Sequence, residues 1–168
     1  MARFLKKEEY GVTRALNDLC FPDEAFSKEY YEDGGILENR VVVKEEDGKV
    51  VAQAHLAPRK AWYRDAGGKA YAVDVDYILC VATDPAYRHR GYMDEVMACA
   101  LAKLQEEGKP WAFLIAVDKA IYRHLGFTYD WAFNLDEAEL LYADDGLTEC
   151  SAKLLCAEHF EKPERITR

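Results

Sequence analysis

Apolar positions follow three different spacings along the chain, and each spacing marks a different kind of element. Residues 7–20 carry Tyr10, Ala15, Leu16 and Leu19 at roughly helical intervals, and Pro22-Asp23-Glu24 opens a second short helix expected to end near Gly34-Gly35. Arg40-Val41-Val42-Val43-Lys44 is a β-branched run, and Glu46-Asp47-Gly48-Lys49 places the hairpin dipeptide Asp-Gly just before Val50-Val51. The second strand of that hairpin is expected to continue to Tyr63, with Pro58 marking an irregularity or an edge. A turn at Asp65-Ala66-Gly67-Gly68 then leads into a third strand from Ala70 to Ala82. The pattern predicts an antiparallel meander.

Beyond Val81-Ala82-Thr83 the period changes to that of a long helix. Met93, Val96, Met97, Ala100, Leu101 and Leu104 form one continuous apolar stripe, with Asp94, Glu95, Lys103 and Glu106 off it. Gly108 suits the helix end and Pro110 stops it. Trp111 to Val117 is an unbroken apolar run, which predicts a buried strand. Strand, helix and strand together predict a right-handed crossover between parallel neighbours. A short helix from Asp118 to Leu125, ending at Gly126, and a strand from Phe127 to Leu135 follow. Residues 136–168 show no clear period.

Size and charge narrow what such a chain does. Its 168 residues suit one domain with a core that needs neither metal nor disulfide, and half of them are hydrophobic, too many for intrinsic disorder. Lys and Arg number 22 against 31 Asp and Glu, a net charge of −9, which argues against a general nucleic-acid binder and against docking on anionic membranes. An acidic body favours a cationic or amine-bearing partner. Acidic residues arrive within the first nine positions, before a signal peptide can form, and no apolar run reaches the length of a membrane span. The five cysteines (Cys20, Cys80, Cys99, Cys150 and Cys156) contain no C-x-x-C, and the histidines at 55, 89, 124 and 159 lack zinc-type spacing. A reduced, cytoplasmic, metal-free protein is expected.

Against that acidic background one basic island stands out. From Pro85 to Gly91 the stretch Pro85-Ala86-Tyr87-Arg88-His89-Arg90-Gly91 holds two arginines and a histidine and no acid, and it runs into the start of the long helix. The first N–H groups of a helix lack internal partners and carry partial positive charge, so Arg88, Arg90 and Gly91 there read as a phosphate cradle. The alternative is an ordinary strand-to-helix turn with solvated arginines. The stretch is neither a Walker-type P-loop nor a Rossmann fingerprint, because the required glycines and lysine are absent.

Arg88-x-x-Gly91-x-Met93 resembles the Arg/Gln-x-x-Gly-x-Gly/Ala loop of the GNAT superfamily of N-acetyltransferases, with Met93 in place of Gly or Ala. The resemblance implies that Arg88, His89, Arg90, Gly91, Tyr92 and Met93 hold the pyrophosphate of acetyl-coenzyme A. It also implies that the backbone of Val81, Ala82 and Thr83 pairs with the pantetheine arm. Tyr122-Arg123-His124-Leu125-Gly126-Phe127 resembles the family's Tyr-x-x-x-Gly-Phe segment and lies 31 residues after Gly91, in the family's order. That match implies a general acid at Tyr122 for the departing thiolate, against the plainer reading of a packing tyrosine among the 11 in the chain. The sequence is most similar to the N-terminal domain of the enhanced-intracellular-survival type, whose members usually continue into further domains. A natural short form or a fragment are therefore both open.

The resemblance implies an α/β (α+β) fold, a mixed and mainly antiparallel sheet of six to seven strands flanked by helices. Residues 1–135 would form the acetyltransferase domain and 136–168 a C-terminal extension completing or flanking it. The implied acceptor is a small-molecule or peptide amine, with no nucleic acid and no membrane, and a homo-oligomer remains compatible. Asp74 and Asp76 alternate on one face of the third strand and act as a base, recognise a cationic acceptor or lie on a solvated face. His55 and His124 are candidate bases because histidine titrates near neutrality, though neither is assigned. Asp136 to Glu149 holds six acids and no Lys or Arg, an amine attractor or a solvated run. Tyr30-Tyr31 and Trp62-Tyr63 either line an acceptor pocket or pack. The competing readings are a coenzyme A-binding module or truncated pseudoenzyme, and a nucleotide-binding protein.

Overall fold

Asp47 and Gly48 both take left-handed backbone, with φ of 50° and 76°. This is the pair of conformations a two-residue hairpin needs to match the twist of its strands, and glycine adopts it without a Cβ clash. It joins β2 (Arg40–Glu46) to β3 (Lys49–Arg64) in antiparallel register, with Val41 opposite His55 and Val43 opposite Gln53. In this computed structural model residues 1–64, 70–109, 111–135 and 147–154 are described. The turn expected at 65–68, Pro110, and the stretches 136–146 and 155–168 lie outside them.

With β1 (Arg3–Phe4), β4 (Ala70–Thr83) and β5 (Trp111–Leu114), the hairpin forms a mixed α/β fold in which five strands run β1-β2-β3-β4-β5, mostly antiparallel, with helices alongside. The chain gathers into two compact units, Met1–Ala57 with Ile78–Lys103, and Pro58–Tyr77 with Leu104–Arg168. Pro58 sits at one division, two residues past the last β2 partner of β3, Leu56, so its missing N–H falls beyond the β2–β3 ladder.

In the first unit the helix expected over residues 7–20 divides in two. Residues Lys7–Thr13 wind as a tighter 3-10 helix and Arg14–Cys20 as α1. Gly11, Val12 and Thr13 are poor helix formers, and the Thr13 hydroxyl donates to the Tyr10 carbonyl at 2.7 Å. Next comes α2 (Glu24–Ser27), capped by Asp23, whose carboxylate accepts from the Phe26 N–H at 3.0 Å. It widens into a π-helical turn, Lys28–Glu32, carrying Tyr30 and Tyr31. One core cluster joins Leu5, Tyr10, Leu16, Tyr30 and Ile36 to Val41, Val43, Val50 and Ala82. Val42, on the opposite face of β2 by alternation, is wholly buried too, which explains why this strand does not alternate in polarity. Helix α3 (Tyr92–Glu106) buries its predicted stripe: Val96, Met97, Ala100 and Leu104 have no exposed surface, each worth roughly 1.5–3 kcal/mol relative to exposure for the larger side chains.

In the second unit Ala112, Phe113 and Leu114 are buried, with the Phe113 ring stacked on Tyr77 at 5.2 Å between centroids. The strand is shorter than its apolar run: β5 ends at Leu114, and Ile115 and Val117 are exposed where the chain turns towards Asp118. A 3-10 helix, Lys119–Leu125, ends at Gly126 as expected. β6 (Thr128–Leu135) and β7 (Leu147–Leu154) are antiparallel, with Trp131 opposite Cys150, and β7 is antiparallel to β5, with Leu114 opposite Ser151. Among the described residues no helix is long and apolar enough to cross a membrane.

Candidate functional site

The basic island folds as a sequence of short, individually capped turns. β4 ends at Thr83, and the Asp84 N–H donates to the Val51 carbonyl at 2.9 Å. The Asp84 carboxylate then accepts from the Ala86 N–H at 2.9 Å and caps the 3-10 turn Pro85–Tyr87. His89 and Gly91 both have positive φ, 62° and 77°, and α3 begins at Tyr92. The first hydrogen bond of α3 runs from the Glu95 N–H to the Gly91 carbonyl at 3.0 Å. The N–H groups of Tyr92 and Met93 therefore precede the helix ladder, where partial positive charge collects.

Every candidate for the phosphate cradle falls in this one unit. Arg88, His89 and Arg90 are exposed, while Tyr92 and Met93 are half-buried. Arg88 Nε donates to the Thr83 carbonyl at 3.3 Å, and an Arg90 guanidinium nitrogen donates to the Ala86 carbonyl at 3.4 Å. Both guanidiniums are thereby anchored at the rim of the turn while keeping further donors available. The Arg90 guanidinium lies over the Tyr87 ring at 5.0 Å. A Cβ built on Gly91 would meet no atom within 4 Å, so the space above this backbone is open to a ligand. A phosphate group fits that donor set: helix N–H groups, two arginines and a backbone it can approach closely.

Val81 and Thr83 are half-buried, whereas Ala82 points into the core and has only its backbone to offer. The thiol of Cys20 donates to the Thr83 carbonyl at 3.7 Å. Directly before these three residues, Cys80 has φ 49°, a left-handed kink inside β4. Nothing in the sequence signals it, because cysteine has no preference for that region. The kink interrupts the regular strand next to the positions expected to face a pantetheine arm. Burial pushes the Cys80 thiol up to about 12, so it stays protonated and is no nucleophile at neutral pH.

Asp74, Asp76 and Tyr122 belong to the second unit. Asp74 is exposed, but Asp76 is wholly buried, with Lys109 Nζ 3.4 Å from its Oδ2, so the two do not share one solvated face. Tyr122 is half-buried and meets Phe127 edge-on at 6.0 Å. Its helix is fixed at both ends. Asp118 accepts from the Ala120 N–H at 2.8 Å, and the Gly126 N–H donates to the Arg123 carbonyl at 2.9 Å.

The two candidate bases separate. His124 is exposed. His55 is wholly buried, its Nδ1 2.7 Å from the Tyr30 hydroxyl, which also accepts from Asn39 Nδ2 at 2.7 Å. Tyr30 stacks on Phe26 and His55, so it is a packing residue, and Tyr31 bonds through its hydroxyl to that of Thr13 at 3.1 Å. Burial lowers the His55 pKa from 6.5 to about 3, because the imidazolium loses its hydration. Between pH 6.5 and about 3 the unfolded chain binds a proton here that the folded chain does not. Stability accordingly falls on acidification, by up to roughly 1.4 kcal/mol per pH unit from this group. Urea midpoints at pH 7 and pH 5 should show a smaller loss for His55→Gln than for the parent; equal losses would refute the assignment.

A family model described as an acetyltransferase (GNAT) domain matches residues 1–129. The chain belongs to the GNAT acetyltransferase family. Two curated relatives from Streptomyces griseus, each described as an uncharacterized N-acetyltransferase, are 41% identical over 61 residues, 36% of this chain and 14% of the relative. This GNAT chain thus matches a small part of those proteins' length. Among solved structures, an Escherichia coli GNAT family N-acetyltransferase in complex with CoA is similar with a TM-score of 0.68 and 18% identity, covering 93% of this chain and 81% of that one. Eis1 of Mycobacterium abscessus is similar with a TM-score of 0.59 and 19% identity, covering 79% of this chain and 31% of that one. At these identities the likeness establishes the GNAT fold.

Proposed function

We propose that this GNAT domain transfers the acetyl group of acetyl-coenzyme A to a primary amine by direct attack in a ternary complex. The observation that carries the reading is the open, cationic cradle at the start of α3, with Gly91 leaving its backbone uncovered. The E. coli GNAT structure solved with CoA supports the choice of anion. Acetyl-coenzyme A supplies an activated acetyl thioester. The N–H groups at Tyr92 and Met93, with Arg88, His89, Arg90 and Gly91, bind its pyrophosphate. Backbone groups of Val81, Ala82 and Thr83 hold the pantetheine arm in extended pairing. The Tyr122 hydroxyl donates a proton to the sulfur that departs. Asp74, exposed, meets a cationic acceptor directly; Asp76 would do so only by exchanging its partner Lys109.

Residues 1–135 are the proposed acetyltransferase domain, and 136–168 its extension. The register of β7 with β5 and β6 supports a sheet of six to seven strands. Likeness to Eis1 supports kinship with the enhanced-intracellular-survival type, and the absence of a membrane-crossing helix among the described residues is compatible with a cytoplasmic place. Calorimetry with acetyl-coenzyme A should give saturable binding, and a panel of primary amines should release free coenzyme A. Absence of binding at millimolar cofactor would sink the proposal. Binding without transfer to any amine would leave a coenzyme A-binding module.

A further inference from the structure

An acid lies directly beside the proposed anion cradle. Asp84 opens the loop, its carboxylate is almost wholly buried, and it is seven positions from Gly91 in the sequence. A buried carboxylate there opposes phosphate binding, both by repulsion and by competing for the arginines that a phosphate needs. Arg88 is near enough to act on it electrostatically.

The partner that resolves this conflict comes from another part of the chain. Lys49, the first residue of β3, reaches Asp84 Oδ2 with its Nζ at 2.6 Å. The same ammonium lies over the Tyr87 ring at 5.7 Å, and Arg90 occupies that ring at 5.0 Å. Asp84 Oδ1 meanwhile accepts from Ala86 N–H at 2.9 Å, so one carboxylate is divided between a lysine and the turn it caps. The lysine side chain is 59% exposed and the aspartate 6%. Such asymmetry makes Lys49 easy to remove and Asp84 costly to strand, since the stranded group has little water.

We propose that Lys49 is a positioning residue for the cofactor loop: by holding the Asp84 carboxylate at the hairpin, it keeps Arg88 and Arg90 available to the phosphates of coenzyme A. This rests on the acetyl-coenzyme A reading above. Without Lys49 the carboxylate turns to a loop guanidinium, withdrawing a cation from the cradle and loosening its hold on the Ala86 N–H. The hairpin supports the loop at a second place. Lys44, nearly buried, lies 3.0 Å from Glu46 and 3.5 Å from Glu95 and covers the Tyr92 ring at 5.1 Å.

Calorimetry with coenzyme A on four proteins tests the assignment: parent, Lys49→Met, Lys49→Arg, and Lys49→Met with Asp84→Asn. Asn retains the oxygen that caps Ala86 but carries no charge. Lys49→Met should weaken binding about tenfold, the double variant should return to within about threefold, and Lys49→Arg should bind as the parent does. Parent-like binding by Lys49→Met would overturn the proposal. So would equal weakness of the single and double variants, which would make Lys49 a direct phosphate ligand. Amide hydrogen exchange at Ala86, measured without ligand, separates this inference from the one it rests on. If the parent binds no coenzyme A, the acetyl-transfer reading falls. Faster exchange in Lys49→Met that slows again in the double variant would still uphold the latch, and unchanged exchange would overturn it.

Discussion

Tyr122→Phe is expected to lower turnover with acetyl-coenzyme A by roughly 10²–10³-fold while leaving the KM for the cofactor near that of the parent. The substitution removes one hydroxyl and keeps the ring, so the edge-on contact with Phe127 survives. The cap of Asp118 on Ala120 and the turn at Gly126 do not involve the hydroxyl, so the helix holding the residue survives as well. Thermal unfolding should shift little. A thiolate leaves much more readily when a proton donor meets it, and general acids of this kind contribute roughly 10²–10⁴-fold. The loss should be confined to kcat, because the hydroxyl is proposed to act on charge that develops only as the carbon–sulfur bond breaks. Unchanged kcat would make Tyr122 a packing residue and leave the family assignment untouched.

Gly91→Val tests the other half of the proposed chemistry, and its expected result is a loss of coenzyme A affinity of about a hundredfold. The backbone at Gly91 has φ 77°, where a β-branched residue is strained, and the space a Cβ would enter holds no protein atom. Valine therefore acts in two ways. It pulls the peptide away from the left-handed conformation, which reorients the N–H groups at the start of α3, and it fills the volume above them. Losing one or two charge-assisted hydrogen bonds, at about 1.5–3 kcal/mol each, gives a change of this order. Gly91→Ala should fall between parent and valine. Calorimetry reads the affinity, and an undiminished value in Gly91→Val would place the phosphate elsewhere.

The parts of the fold that were legible in the sequence are those specified by local periodicity or by one residue's conformational preference. The stripe from Met93 to Leu104 is a one-dimensional pattern that only a helix turns into a single face, and Val96, Met97, Ala100 and Leu104 are indeed buried. Asp47-Gly48 encodes its own turn. The basic island was visible because charge, glycine and helix start coincide within a few residues, and its candidates lie in one loop and the first turn of α3. The helix over residues 7–20 departs from its apolar spacing: Tyr10 and Leu16 are buried but Ala15 and Leu19 are exposed, and the tighter winding of Lys7–Thr13 accompanies a side-chain bond at Thr13 that spacing does not encode.

Pairings between distant positions were not legible. Lys49 and Asp84 are 35 residues apart, and Tyr30 and His55 are 25 apart. Each residue alone is an ordinary exposed lysine, turn aspartate or candidate base until the fold brings its partner. His55 illustrates the reversal: titration near neutrality made it a candidate, and complete burial makes it neutral down to about pH 3. Asp76 likewise shares the alternation of Asp74 but not its exposure, and the half-buried Lys109 lies 3.4 Å from its carboxylate. The kink at Cys80 is not signalled by its residue type, since cysteine neither prefers left-handed backbone nor resembles the residues that do.

The basic island on a chain of net charge −9 has a kinetic consequence. At low ionic strength an anionic cofactor diffusing towards this protein is expected to be repelled at long range and, if the proposed cradle binds it, captured only within the last few ångströms, where Arg88 and Arg90 outweigh the net negative charge. Salt at 0.1 M screens charges beyond about 10 Å, so it removes the repulsion before it weakens the capture. Moderate salt therefore speeds the cofactor's arrival, the opposite of what a uniformly basic anion-binding surface would do.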